Sequence, residues 1–402
     1  MTRNAEEGPL SRPFEENEGI RVRRKPIRAA RATAWAMPVL IAFLLAACGG
    51  NGNQDQRAAG TPSPAPRDAQ KGPPRSFELG LSSFPTEPTE ASYKKAFILA
   101  GQVGELILIQ RAPPWQEFVS GGALSKNTQD TTQEEKRLAE ENRLGIFFGV
   151  DPTDSADRGR LQGLPEGLAG KSFADKEVRD AFIAYVKYVA LNYKPQLLAL
   201  GVEINMYYEQ QPDDFENFVS LYFEAYDTVK DISPDTLVFP TFQLEAMQNL
   251  LSPDSESVPE WSLLQRFEPK LDLVAVSTYP SFVFDSPDGI PSDYFSQIKS
   301  YTSKPIAIAS AGYSSGPGRD GLNEGTEANQ AAFVRRLLLE ADGLDMPFVV
   351  WLTGCDPTVP ADPPFDLYAQ MGLCRSDGSP KPAWQAWAQQ AARPLEVKNP
   401  DE

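Results

Sequence analysis

Carboxylates and hydroxyls, not imidazoles, must carry any acid–base chemistry in this chain. Its 402 residues include no His and only three Cys. A Ser-His-Asp triad, a Cys-His dyad, an imidazole general base and a His-ligated zinc are therefore excluded. The remaining candidates sit at the ends of apolar runs. Glu203 closes the run that begins at Leu197, and Asn205 and Tyr207 follow it. Glu245 follows the run 237–242, and Ser310 and Tyr313 follow the run 305–309. Arg111 and Trp115 follow 105–109, Tyr279 follows 271–277, and Trp351 lies at the end of 347–352. Aromatic faces stack on the apolar face of a pyranose ring, and acids and amides bond its hydroxyls, so this set suits a sugar. Each member also has a plainer reading: Trp351 as interior filling, Tyr279 as a loop cap.

The elements that must position these residues alternate. Eight β-type runs occur at 77–81, 105–109, 144–150, 197–203, 237–242, 271–277, 305–309 and 347–352. Helical patterns fall at about 91–103, 132–142, 175–192, 213–231, 326–342 and 382–391. Near-continuous apolar strands separated by helices indicate a parallel sheet covered by helices. Eight such units are the number that closes a barrel, so the expected fold is a single α/β domain, a (β/α)8 TIM barrel over 76–393. No glycine-rich phosphate loop follows the first strand, which argues against an open doubly wound sheet. In a barrel of this kind, sites lie at the C-terminal ends of the strands, where the candidates cluster.

Leu200-Gly201-Val202-Glu203-Ile204-Asn205 resembles the strand-four motif of the clan A glycoside hydrolases, which carries the acid/base carboxylate. The segment from Lys304 to Ser315 resembles strand seven of that clan, and the likeness extends to Ser277-Thr278-Tyr279-Pro280, to Trp351 and to the closing Asp377–Trp384. The resemblance covers about 77–391 and implies a sugar-binding barrel with Glu203 at the acid/base position. Two departures stand out. Ser310 occupies the place of the nucleophile Glu, and Val202 replaces the Asn that bonds the sugar 2-hydroxyl. A retaining glycosidase needs two carboxyl groups about 5–5.5 Å apart, and serine cannot replace one without a base. The resemblance thus implies a barrel that binds carbohydrate and has lost hydrolysis. Two alternatives remain. One is an active hydrolase that pairs Glu203 with Glu245, Asp285 or Asp356 or relies on the substrate's own group. The other is a non-catalytic scaffold for a partner protein.

The first 47 residues read as a secretory leader: basic residues from Arg21 to Arg31, an apolar stretch from Trp35, then small residues at a cut site. Leu45-Ala46-Ala47-Cys48 resembles the bacterial lipobox, which implies acylation (palmitate or a related chain) of Cys48 and a lipid anchor. Residues 48–75 are poor in large apolar side chains and read as a flexible linker; 394–402 reads as a disordered tail. The leader's 8 basic and 5 acidic residues take the formal charge from −17 to −20 once it is removed. That sign repels nucleic acid. The expected location is the extracytoplasmic side of a bacterial membrane, as a monomer. With Cys48 lipidated, Cys355 and Cys374 are left to pair in an oxidising compartment. No metal or cofactor is expected; the acids of 151–157 lack the Gly and closing Glu of an EF-hand loop.

Overall fold

The computed structural model describes residues 72–119, 123–251 and 259–396. The leader, Cys48, the linker as far as residue 71 and the tail from residue 397 lie outside the described residues.

All eight expected strands form. They are β1 (Glu78–Ser82), β2 (Leu106–Arg111), β3 (Gly145–Val150), β4 (Leu197–Leu200), β5 in two pieces (Leu237–Phe239 and Thr241–Gln243), β6 (Val274–Thr278), β7 (Ile306–Ala311) and β8 (Phe348–Trp351). Each ladder is parallel, and neighbours run β5, β4, β3, β2, β1, β8, β7, β6 and back to β5. The first piece of β5 pairs with β4 and the second with β6. Pro240 separates them. It has no N–H to give a ladder, so a strand that changes neighbours there forfeits no hydrogen bond. Thr241 N–H then donates to the Gly201 carbonyl at 3.0 Å, which closes the sheet on itself.

Helices Glu90–Val103, Lys126–Glu141, Lys176–Asn192, Pro212–Ile232, Glu327–Gly343 and Pro382–Ala391 surround the strands. In Lys176–Asn192, buried Val178, Phe182, Tyr185, Val186 and Val189 recur at the spacing that makes one apolar face. Hydroxyl caps start several of these helices: Thr89 Oγ1 accepts from the Ser92 N–H, and Thr326 Oγ1 from the Asn329 N–H, each at 3.1 Å. Between β6 and β7 only short 3-10 turns form, among them Pro280–Phe282 and Pro287–Gly289, because proline repeatedly interrupts the segment. The interior is filled. Phe147 of β3, Phe239 of β5 and Phe348 of β8 meet across it with ring centroids 5.5–6.0 Å apart. The barrel is therefore a packed core rather than a pore.

The folded body extends past the expected boundaries. Arg75, assigned above to the linker, is buried. Its N–H donates to the Pro394 carbonyl at 2.9 Å, it forms a bridge with Leu395, and its guanidinium pairs with Glu105. A cation with a carboxylate and carbonyls to satisfy it can be buried, which low hydrophobicity alone does not reveal. The expected disulfide is present: Cys355 and Cys374 are joined across a separation of 19 residues.

Candidate functional site at the barrel mouth

Glu203 sits one step beyond β4 in a left-handed backbone conformation, φ 51° and ψ 44°. A non-glycine residue held there costs about 1–2 kcal/mol. The approach to it is equally constrained. Gly201 has φ 103°, and a Cβ at that position would lie 2.6 Å from the Phe218 ring. Two fixtures hold the turn. The Glu203 N–H donates to Thr241 Oγ1 at 3.0 Å, and the helix Ile204–Gln210 begins immediately after.

The carboxylate of Glu203 is engaged at both oxygens. Oε1 accepts from Ser277 Oγ at 2.6 Å, and Oε2 accepts from Arg158 Nη2 at 2.9 Å and Nε at 3.3 Å. Arg158 in turn donates through Nη1 to Asp151 Oδ1 at 2.7 Å and to Thr153 Oγ1 at 3.1 Å. Gln110 Nε2 donates to the other Asp151 oxygen at 2.9 Å. One polar chain therefore crosses the mouth from β2 through β3 and β4 to β6. The side chains of Arg158 and Asp151 are each 6% exposed, and that of Glu203 14%. Burial raises the Asp151 pKa, and the Arg158 guanidinium opposes it.

Ser310 lies buried at the same end of the barrel. It pairs with Ser277 across the β6–β7 ladder, after a bulge that leaves Ala309 without a counterpart. Ser277 thus touches both positions: it donates to Glu203 and stands beside Ser310. The Ser310 Oγ lies 2.9 Å from the Tyr279 hydroxyl. Burial, and after it the charge of Glu203, push the Tyr279 hydroxyl pKa well up, so that phenol stays a neutral donor.

The other sequence candidates lie in the body of the fold rather than on an aromatic rim. Trp351 is fully buried, donates from its indole to the Met371 carbonyl at 2.7 Å and packs on Phe333 and Trp387. Trp115 is 1% exposed and donates to the Gln162 carbonyl at 2.7 Å. Tyr313 packs on Phe333, and Tyr207 donates to Asp214 Oδ2 at 2.6 Å; both are buried. Asn205 clasps the backbone of Gln243, donating from Nδ2 at 3.1 Å and accepting at Oδ1 at 2.8 Å. Arg111 turns outward to Glu135, over the Phe148 ring.

No candidate second acid faces Glu203. Glu245 is fully buried; Thr278 Oγ1, the Tyr279 N–H, Tyr294 and Gln243 saturate it, and burial raises its pKa against those hydrogen bonds. Asp356 pairs with buried Lys381 at 2.7 Å. Asp285 lies exposed after β6. The acids of 151–157 serve the hairpin: Asp154 Oδ1 accepts from the Ala156 N–H at 2.8 Å, and Asp151 binds Arg158. Among the described residues no group of three or more His, Cys, Asp or Glu side chains is placed to hold a metal ion.

Sequence reasoning missed Arg158. It lies on the antiparallel hairpin of Thr153–Asp154 with Asp157–Leu161, an insertion directly after β3. The alternation Asp157-Arg158-Gly159-Arg160 after a short turn was the available signal. Tyr368 was also missed. It lies in the irregular connection after β8, against Tyr279 and Phe282, and nothing periodic marks it.

No family model matches the chain, and no curated protein matches it. Solved structures do. The chain is similar to a GH5_18 variant from Bifidobacterium longum subsp. longum ATCC 55813 in complex with Manβ1-4GlcNAc, at 15% identity and TM-score 0.61, covering 80% of each chain. It is similar to the exo-β-1,4-mannosidase Op5Man5 from Opitutaceae bacterium strain TAV5, at 13% identity and TM-score 0.61, covering 78% of this chain and 59% of that one. It is also similar to xylanase 10B from Thermotoga maritima, at 12% identity and TM-score 0.56, covering 79% and 95%. At these identities the likeness establishes a shared fold, the (β/α)8 barrel.

Proposed function

We propose that this chain is a lipid-anchored, extracytoplasmic protein whose glycoside hydrolase-like barrel binds carbohydrate without hydrolysing it. One observation carries the reading. Glu203, the only acid of the expected pair to reach the mouth, is held between Arg158 and Ser277, and Ser310 stands hydrogen-bonded to Tyr279 where a second acid would be required. Neither the retaining nor the inverting mechanism runs on one acid, and the other carboxylate at the mouth, Asp151, is taken up by Arg158 and Gln110. A retaining enzyme lacks its nucleophile here, and an inverting one lacks a base free to activate water. Within this reading Glu203, Ser310 and Tyr279 line the sugar site. Arg111, Trp115, Asn205, Tyr207, Glu245, Tyr313 and Trp351 shape the wall behind it. The lipobox-like Cys48 supplies the anchor, and the neighbours' sugars supply the ligand class.

The test is incubation of the purified body with Manβ1-4GlcNAc, β-1,4-manno-oligosaccharides and xylo-oligosaccharides. Calorimetry and sugar analysis run in parallel. Saturable binding with no released sugar is expected. Release of product that Glu203→Gln abolishes would overturn the loss of hydrolysis and restore the enzyme alternative.

A further inference from the structure

The sequence placed the stacking aromatics on Trp115, Tyr207, Tyr279, Tyr313 and Trp351, and all five are buried. A sugar at Glu203 needs another apolar surface, and the loop after β8 brings one there. Tyr368 is half-buried, with its ring edge-on to Tyr279 at 5.3 Å and tilted against Phe282 at 5.3 Å. Tyr279 reaches Ser310, so the Tyr368 ring is one side chain removed from Ser310. The charges of Glu203 and Arg158 both act on its hydroxyl. That hydroxyl makes no hydrogen bond among the described residues, unlike Tyr93, Tyr193, Tyr207, Tyr226 and Tyr294, which donate to acids.

The loop that carries Tyr368 is fastened on several sides. The disulfide Cys355–Cys374 closes its base. Arg319, in the loop after β7, pairs with Asp366 at 2.6 Å. Asn323 donates to the Leu367 carbonyl and accepts from Ser281, which ties the loops after β6, β7 and β8 together. A ring held this way loses little side-chain entropy when a ligand packs on it.

We infer that Tyr368 is the ligand-contacting aromatic of this barrel: its ring packs on the sugar and its free O–H donates to a sugar oxygen beside Glu203. Asp366 acts as a positioning residue for it. This rests on the carbohydrate-binding reading above.

The experiment is calorimetric titration of wild type, Tyr368→Ala, Tyr368→Phe, Asp366→Asn and Glu203→Ala with the tightest-binding oligosaccharide of the same panel. Melting curves on each protein verify folding. Tyr368→Ala is expected to weaken binding at least 10-fold, Tyr368→Phe several-fold, and Asp366→Asn several-fold with the ring chemistry intact. Wild-type affinity in Tyr368→Phe and Tyr368→Ala, alongside loss of binding in Glu203→Ala, would overturn the role of Tyr368 and leave the carbohydrate reading standing. Absence of binding by the wild type to every sugar of the panel would overturn both.

Discussion

Arg158 satisfies two acids at once, so its removal should show in stability. Asp151 and Glu203 would remain in a nearly closed site without their counter-charge. Breaking a buried pair from one side costs about 3–5 kcal/mol. Arg158→Met is therefore expected to lower the free energy of unfolding by that order in urea titration, and Arg158→Met combined with Asp151→Asn to recover part of it. Gly201→Ala is expected to destabilise by at least about 1 kcal/mol, since both the positive φ and the contact with Phe218 resist a side chain. Glu78, at the opposite pole, gives a pH signature. Burial raises its pKa from 4.5 to about 6, against the hydrogen bond from Gln196. The unfolded chain thus loses this proton at lower pH than the folded one. Glu78 therefore weakens the fold as pH rises from 4.5 to 6, and the whole penalty is present above that window. Glu78→Gln is expected to raise the melting temperature at pH 8 and leave it nearly unchanged at pH 4. Of the site itself, Glu203, Tyr279 and Ser310 were legible because each ends an apolar run. Their partners were not: Arg158 comes from an insertion, and Ser277, though part of the motif Ser277–Pro280, carried no assigned role.

The strands were legible to within about three residues at either end because parallel strands are covered on both faces and write themselves as apolar runs. The aromatic rim was not, since a Trp or Tyr at a strand end reads the same whether it faces a ligand or a helix. Trp351 shows the difference: its indole N–H finds the Met371 carbonyl, and its ring finds Trp387. Pro240 was legible as a residue but not as the place where the sheet closes. The ladder runs unbroken from the first piece of β5 around to the second, so both of its ends meet at this proline. Amide exchange is accordingly expected to be fastest within the sheet at 237–243. Equal or slower exchange there than in β1 and β2 would show the seam to be no weaker than the ladders. The loop after β8 carries the disulfide, which limits the unfolded chain. Reduction of Cys355–Cys374 is expected to lower stability by about 3 kcal/mol, measured by urea titration with and without reductant.

At the scale of the whole molecule, charge and topology address different questions. The formal charge of −17 bears on solubility and on repulsion of nucleic acid, not on the fold. The barrel architecture followed from the count and order of eight units, and the solved neighbours share it at identities where sequence alone no longer aligns. The proposed anchor is tested by fractionation. Cys48→Ser is expected to move the protein from the membrane pellet to the soluble fraction, and mass analysis of the wild type to show an acylated residue at that position.

The clasp between Arg75 and Leu395 has a geometric corollary. It lies at the end where the strands begin, so the polypeptide enters and leaves the body at the pole farthest from Glu203. A tether attached upstream pulls on that pole alone. With a tether attached there, the Glu203 end of the barrel stays clear of the point of attachment.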